Sequence, residues 1–479
     1  MNSVFSKHAR MNAVVVAAVI LLTACGGGSG QLAGISGTGI TSSGTVTGFG
    51  SVIVNGVEFD TGGAKIIVDG ERATQAALRV GQIVTVTGVL ETETSSVAET
   101  VVFNRLLDGP IAAKDSGNRL VTALGQSVLI DDATRFDGVR FVDLAEQNLI
   151  LVSGFTDENG NIVATYIRRG AVVFDFNTRI DVEDALSNLN MLAQTFDVGL
   201  LPVNYAGADV DETAGALREG ATVEIFGMLS AQTGIFTADT VTVIDPILAA
   251  PGGRVELEGI IANFAGRGDF TIGGQPIDAS AAVQEVDTGL SLGVGVTLDV
   301  EGEIADDGVL VAESVAIRPS SDIRIEAAVD AGTAALRELK VFGLRFGITP
   351  ASRFHDQRAT ASGARGQGLQ SLRFSDYVAI DAYRDARGDL VAGAITRAEF
   401  ETGALVRGPA SAAGCDPATN TVTVAGVPVR FETAALTAAG GEHLRIAAFC
   451  SLVKAGGFLE ARGAENGNEL IAEIISLIK

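Results

Sequence analysis

The chain has 479 residues, of which 47% are hydrophobic and 19% are charged, so a large buried core is expected and a wholly disordered chain is excluded. The formal charge of −24 argues against a large phosphate-binding surface, and we predict no nucleic-acid partner. With only three histidines, the usual general bases and metal ligands are scarce, so no metal or cofactor is predicted.

The first 24 residues have the order of a cleaved export signal. Lys7 and Arg10 precede an apolar run from Ala13 to Leu22, which is too short to cross a bilayer as a helix. The run ends at Leu-Thr-Ala-Cys25, which resembles the lipobox of bacterial lipoproteins. In that family the matching cysteine receives a diacylglycerol before cleavage on its N-terminal side. The resemblance implies lipidation of Cys25, and an ordinary secretory signal with a chance cysteine is the alternative.

Residues 25–36 continue as a glycine-rich segment, which predicts a flexible tether after the lipidated cysteine. An acidic protein is repelled by anionic headgroups, so we expect the lipid alone to hold the chain to a membrane. Residue 26 is Gly and not Asp, which in the enterobacterial sorting scheme implies the outer membrane. The predicted location is therefore the bacterial cell envelope at the outer membrane, facing either the periplasm or the cell surface.

One sequence pattern returns along the rest of the chain. A leucine, a short turn and an alternating apolar run lead to a closing glycine, most clearly from Leu78 to Gly88. Related copies close at residues 154, 227, 302, 382 and 463, between 66 and 81 residues apart. Six units are predicted, with bounds 37–107, 108–176, 177–247, 248–321, 322–400 and 401–479.

Each unit reads as about five short antiparallel strands. The 59 glycines favour tight turns, and Asn55-Gly56 between alternating apolar residues is typical of a two-residue hairpin. Closure into a small OB-like barrel removes the open sheet edges, and the closing glycine permits sharp coiling. A continuous β-sandwich or β-solenoid is the alternative. Each unit should bury its own core, with little contribution from contacts between distant units.

Two units depart from this pattern and offer places for specialised function. Residues Asp181 to Gln194 in the third unit read as helical or looped, and Ser352 to Gly368 in the fifth unit reads as an insertion.

The segment from Gly37 to Asp60 resembles the opening of a bacterial family catalogued as domain of unknown function 5666, which occurs as tandem units in lipoproteins. The later units match only through the spaced pattern described above. The resemblance implies an envelope location and repeated β-domains, and it carries no activity that could be transferred to this chain.

Two cysteines lie in the last unit, at Cys415 and Cys450. An oxidising compartment favours a disulfide between them, and the absence of a Cys-x-x-Cys spacing favours a structural bond over a redox site.

The insertion of the fifth unit forms a basic island in an acidic protein. It carries Arg353, His355, Arg358 and Arg365 against the single acid Asp356. We predict a contact loop for an anionic glycan, a lipid headgroup or an acidic partner, and a solvated insertion is the alternative.

Repetition without a catalytic motif indicates a non-enzymatic protein. The sequence predicts a lipid-anchored envelope protein whose tandem β-domains act as a binding or spacer module, with an unknown envelope protein or glycan as partner. Two alternatives stay open. The first is an envelope glycan hydrolase that uses two of the 58 acidic residues. The second is a periplasmic assembly factor that binds client strands at exposed sheet edges.

Overall fold

The computed structural model describes most of the chain beyond the glycine-rich segment. The described residues are 39–92, 95–284, 291–318, 321, 323–330, 337–349, 352–356, 372–385, 387–398, 403–438, 442–453 and 456–478. The predicted export signal, Cys25 and the predicted tether lie outside them, as do Arg358 and Arg365. No helix within the described residues is both long enough and apolar enough to cross a membrane.

Nearly all regular structure in the described residues is β-strand, arranged in six modules that we number in chain order. Module 1 contains β1 (Gly39–Gly48), β2 (Val52–Val54), β3 (Val57–Asp60), β4 (Lys65–Val68), β5 (Glu71–Ala73), β6 (Ile83–Thr92) and β7 (Ser95–Phe103). Module 2 contains β8 (Leu107–Asp115), β9 (Leu120–Ala123), β10 (Gln126–Asp137), β11 (Leu149–Thr156) and β12 (Ile162–Arg169). Module 3 contains β13 (Ile180–Asn190), β14 (Thr195–Val198), β15 (Leu201–Asn204), β16 (Asp209–Asp211), β17 (Thr222–Leu229) and β18 (Phe236–Val243).

The later modules repeat this order. Module 4 contains β19 (Arg254–Gly266), β20 (Asp269–Ile272), β21 (Gln275–Asp278), β22 (Val283–Gln284), β23 (Thr297–Ile304) and β24 (Leu310–Arg318). Module 5 contains β25 (Ile323–Ala328), β26 (Glu338–Val341), β27 (Leu344–Gly347), β28 (Arg353–Asp356), β29 (Tyr377–Arg384) and β30 (Leu390–Ala398). Module 6 contains β31 (Ala404–Asp416), β32 (Thr421–Val424), β33 (Val427–Arg430), β34 (Ala435–Thr437), the helix α1 (Ile446–Leu452), β35 (Phe458–Asn466) and β36 (Glu469–Leu477).

Five principal strands of a module close on themselves. In module 1, β1 pairs with β2 and β2 with β3, β3 runs parallel to β7, β7 pairs with β6, and β6 returns to β1. The equivalent strands of modules 2, 3, 4 and 6 pair in the same ring. This is the strand order of an OB-type barrel, and it confirms the predicted all-β fold of repeated small barrels.

The closing glycine of the repeat sits at a β-bulge between the last two principal strands. At each such glycine the strand register shifts by one residue. A Cβ atom there would overlap a carbonyl oxygen of the facing strand, so the backbones approach too closely for any side chain. The glycines are Gly88, Gly154, Gly227, Gly302 and Gly463, and module 5 has Ala382 at the equivalent register shift.

The barrel interiors are filled by the apolar face of each strand. In module 1, Val84 and Val86 of β6 are almost fully buried, together with Phe59 and Phe103. Modules 2 and 3 share one apolar core, and modules 5 and 6 share another. The core is therefore continuous within these two pairs rather than confined to single barrels.

The modules are joined in pairs through their long first strands. In β1, β8, β13, β19 and β31, the first half of the strand pairs with the first strand of another module and the second half pairs with the hairpin of its own module; β25 pairs with the first strand of module 6 but not with its own hairpin. Strand β8 pairs with β13, β25 with β31, and β1 runs parallel to β19 from Ile40 opposite Arg254 to Ser43 opposite Leu257. The expectation that distant units contribute little is wrong for modules 1 and 4. An open edge on the extended half of β1 would leave backbone groups unpaired, and β19 pairs with them.

Two further expectations are changed by the structure. The helical or looped interpretation of Asp181 to Gln194 is wrong up to Asn190, because these residues form β13 and pair with β17 and β8. Arg353 and His355 lie in β28, which pairs in parallel with β30, so the backbone is a strand at these two positions rather than a loop.

Cys415 and Cys450 form a disulfide in the structure, with their Cα atoms 5.0 Å apart. Cys415 lies in β31 and Cys450 in α1. The bond therefore connects the short helix to the barrel wall of module 6.

Candidate functional site

A cavity of about 240 Å³ lies where modules 1, 2, 4 and 5 meet. Each of these modules contributes polar side chains to its wall, and Val46, Phe155, Val163 and Ile260 supply apolar surface between them. The cavity depends on the assembled modules, because no single barrel provides more than part of the wall.

The pairing of β1 with β19 builds the wall between modules 1 and 4. Glu258 of β19 is 6% exposed, and its Oε2 accepts the backbone N–H of Thr45 at 2.8 Å. Arg318, at the end of β24, forms an ion pair with Asp299 of β23. Both charged groups of this wall therefore have partners that hold them in place.

An ion-pair network forms the wall between modules 2 and 5. Asp381 of β29 is 4% exposed, and its Oδ1 accepts a hydrogen bond from Arg324 at 2.6 Å. Arg135 of β10 approaches from module 2, with Nη2 at 3.7 Å from Asp381 Oδ2 and at 3.5 Å from Thr396 Oγ1. Arg324 also contacts Glu326 at 2.7 Å.

The pKa values of the two arginines move in opposite directions. Desolvation lowers the pKa of Arg135, although Asp381 opposes this effect. Burial alone would also lower the pKa of Arg324, but Asp381 and Glu326 together raise it above the usual range. Both guanidinium groups stay charged at neutral pH, so Asp381 is neutralised from two sides.

Asp131 and Tyr383 complete the polar lining. Asp131 Oδ1 accepts the backbone N–H groups of Ala133 and Thr134 at 2.9 and 3.0 Å, and the residue is otherwise exposed. Burial raises the pKa of Tyr383. Tyr383 is buried, and no described residue forms a hydrogen bond with its hydroxyl.

A second charged cluster lies at the junction of modules 1, 2 and 3. Arg105, in the link between the first two modules, contacts Asp69 at 3.4 Å, Asp108 at 2.5 Å and Asp181 at 3.1 Å. Desolvation, with neighbouring acids, raises the pKa of Asp181 and of Glu183 to about 7. This cluster could not hold a metal ion. The same holds for every other group of three or more His, Cys, Asp or Glu side chains in the described residues.

The described lining of this cavity contains none of the candidate site residues singled out in the sequence. Arg353 and His355 belong to β28 of module 5, while Cys25, Arg358 and Arg365 lie outside the described residues. The cavity residues come from four modules and show no local motif, so sequence reasoning missed them.

Comparison with known proteins finds a family similarity for part of the chain. The profile of a family described as Domain of unknown function (DUF5666) matches residues 108–168, 258–316 and 324–396. Three separate regions of the chain therefore resemble this domain, as expected for tandem copies. The matched regions cover the principal strands of modules 2, 4 and 5, three of the four modules that line the cavity. The segment from Gly37 to Asp60, which carried the resemblance in the sequence, lies outside the three DUF5666 regions.

The other comparisons add no functional information to the DUF5666 match. The chain is 12% identical to a solved structure titled "drosophila Unr CSD456", over 46% of this chain and 97% of that chain, with a TM-score of 0.11. At that TM-score the likeness carries no argument. No protein with a curated description matches this chain.

Proposed function

We propose that this protein is a non-catalytic, lipid-anchored protein of the bacterial cell envelope, in which six barrels form one binding module. The observation that carries the proposal is the cavity built jointly by modules 1, 2, 4 and 5. A spacer needs only length and stiffness. A cavity that requires four aligned modules favours binding over simple spacing.

The partners of the cavity charges support a binding role over hydrolysis. Glu258 accepts a backbone N–H, Asp381 contacts two guanidinium groups, and Arg318 is paired with Asp299. A general acid of a glycan hydrolase needs a carboxyl group with a raised pKa beside the scissile bond. The carboxyls whose pKa values are raised to about 7 are those of Asp181, Glu183 and Glu256, and none of these residues is part of the described cavity lining.

The anchoring part of the proposal rests on the order of the first 25 residues. A basic start, a short apolar run and Leu-Thr-Ala-Cys25 are typical of lipoprotein export. The acidic body gives no electrostatic attraction to anionic headgroups, so attachment would depend on the acyl chains.

Membrane fractionation of the full chain tests the anchor. In an enterobacterial host, the wild-type protein should fractionate with the outer membrane, and the Cys25→Ala variant should leave the membrane fraction. The Gly26→Asp variant keeps the lipid and should move the protein to the inner membrane. A Cys25→Ala protein that still fractionates wholly with membranes would contradict the proposed anchor.

Capture from envelope extracts tests the binding role. The immobilised wild-type chain should retain an envelope glycan or protein, and the Ala394→Leu variant, which fills part of the cavity, should retain less. Equal retention by both chains would show that the cavity does not carry the binding.

A further inference from the structure

We propose that the cavity between modules 1, 2, 4 and 5 binds one uncharged sugar residue of a glycan. This inference rests on the binding role proposed above and gives its ligand a chemical class. It follows from the size of the cavity, the balance of its charges and the alternation of polar and apolar groups on its wall.

The size limits the ligand to a single ring with its substituents. A volume of about 240 Å³ equals that of about eight water molecules in the liquid. It lies below the range of about 300 to 1,000 Å³ that is usual for sites of drug-sized ligands. A dinucleotide or an extended peptide would not fit within this cavity.

The charges favour an uncharged ligand. An anion would face the carboxylates of Asp131, Glu258 and Asp381, and the arginines of the wall are already paired with acids. A divalent cation needs several oxygen ligands at one point. The three carboxylates come from three different modules and are held by backbone N–H or guanidinium groups instead.

The hydrogen-bonding groups fit a polyhydroxylated ring. Each sugar hydroxyl can donate to a carboxylate and accept from a guanidinium or a protein hydroxyl at the same time. The lining includes Asp131, Glu258 and Asp381 from three different modules, together with the hydroxyl-bearing residues Thr45, Thr297 and Tyr383. The side chains of Phe155 and Ile260 offer apolar surface for the C–H face of the ring.

A ligand in this position would contact several barrels at once. Because binding to the folded state alone stabilises that state, a bound sugar should raise the stability of all four modules together. This joint effect distinguishes the cavity from a sugar site on the surface of one barrel.

The experiment measures binding of single sugars to the purified mature chain. The panel contains glucose, galactose, mannose and N-acetylglucosamine, with glucuronate and glucosamine as charged analogues. Saturation-transfer NMR and thermal unfolding report binding. At least one neutral sugar should bind and raise the unfolding temperature, and it should bind more tightly than its charged analogue.

Two substitutions test whether the sugar binds in the cavity. Tyr383→Phe removes one hydroxyl and should weaken binding by about three- to tenfold, the loss expected for one hydrogen bond. Ala394→Leu fills space on the cavity wall and should abolish binding. Tyr205→Phe is the matched control, because Tyr205 is buried in module 3, which does not line the cavity, and binding should not change.

The outcomes separate this inference from the proposed function. Failure of every sugar to bind, or equal binding by wild type and Ala394→Leu, overturns the sugar site. Capture of an envelope protein by the same chain would then still support the broader binding role. Turnover of aryl glycosides that Ala394→Leu abolishes would support the sugar site and overturn the non-catalytic proposal.

Discussion

The bulge glycine of module 4 provides a direct test of how the barrels close. Gly302 lies at the register shift between β23 and β24. A Cβ atom at this position would overlap the carbonyl oxygen of Val311 and lie 2.8 Å from the Cα of Ala312, whereas ordinary contacts begin near 3.4 Å. Both obstacles are backbone atoms, so the strands themselves must separate to accept the Gly302→Ala substitution.

The cost follows from that separation. Overpacking of a closed core costs about 1 to 3 kcal/mol, and each ladder hydrogen bond lost adds about 0.5 to 1.5 kcal/mol. We therefore expect the Gly302→Ala substitution to lower the free energy of local unfolding by about 2 to 4 kcal/mol. This corresponds to a rise in the local opening constant of about 30-fold to about 1,000-fold.

Hydrogen exchange of the full chain, read by mass spectrometry for peptides of module 4, measures this change. Gly266→Ala is the matched control, because Gly266 lies in the same module, has no atom within 4 Å of an added Cβ and lacks a positive φ. That control should change the local free energy by less than about 0.5 kcal/mol. Equal protection of residues 297–318 in the two variants would refute the argument from backbone overlap.

Three further predictions concern other parts of the chain. Reduction of the Cys415–Cys450 disulfide should lower the stability of residues 403–478 by about 3 to 4 kcal/mol on the chain-entropy estimate, seen as faster amide exchange. Burial and neighbouring acids raise the pKa of Glu183 to about 7, so between pH 4.5 and 7 the folded state holds a proton that the unfolded state releases. The free energy of unfolding should therefore decrease as the pH rises through this window. The Glu183→Gln variant should show a smaller decrease in unfolding temperature between pH 5 and pH 8 than the wild type, because the contribution of Glu183 is lost. Val86→Asp places a charge in the core of module 1 and should lower the amide protection of residues 254–257 in β19 as well, because β1 pairs with both β6 and β19; protection of these residues at wild-type levels would contradict this coupling.

The strands and turns were predictable because their signals are local. Asn55 and Gly56 have φ values of 50° and 85°, as the Asn-Gly pair between β2 and β3 predicts. The alternation of Val84 and Val86 with polar residues identifies β6 and its buried face. The closing glycines were visible in the sequence as a repeat. Their position at a bulge is seen only from the strand pairing, as between β23 and β24 and between the equivalent strands of other modules.

The pairing of modules was not predictable, because it depends on which open strand edges meet. The segment Ile40–Ser43 has the composition of any short strand, and its partner lies more than 200 residues away in β19. The same limit explains the error at β13. Asp181 and Glu183 disturb the apolar alternation, yet pairing with β17 and β8 holds this segment as a strand.

The cavity could not be predicted from the sequence for the same reason. Arg135 and Asp381 are 246 residues apart in the sequence, and neither belongs to a motif. Their contact exists only because modules 2 and 5 are brought together. Polar residues that look like ordinary surface positions within one barrel thus become the wall of a shared site.

The connection of module 1 to module 4 also determines when this site can form. Modules 2 and 3 lie in the chain between β1 and β19, so the pairing of these strands closes a long loop and carries the entropy cost of that closure. The barrels can bury apolar side chains before the loop closes, whereas Thr45 and Glu258 meet only afterwards. A ligand that requires the complete cavity would therefore select the assembled arrangement of modules over separately folded barrels.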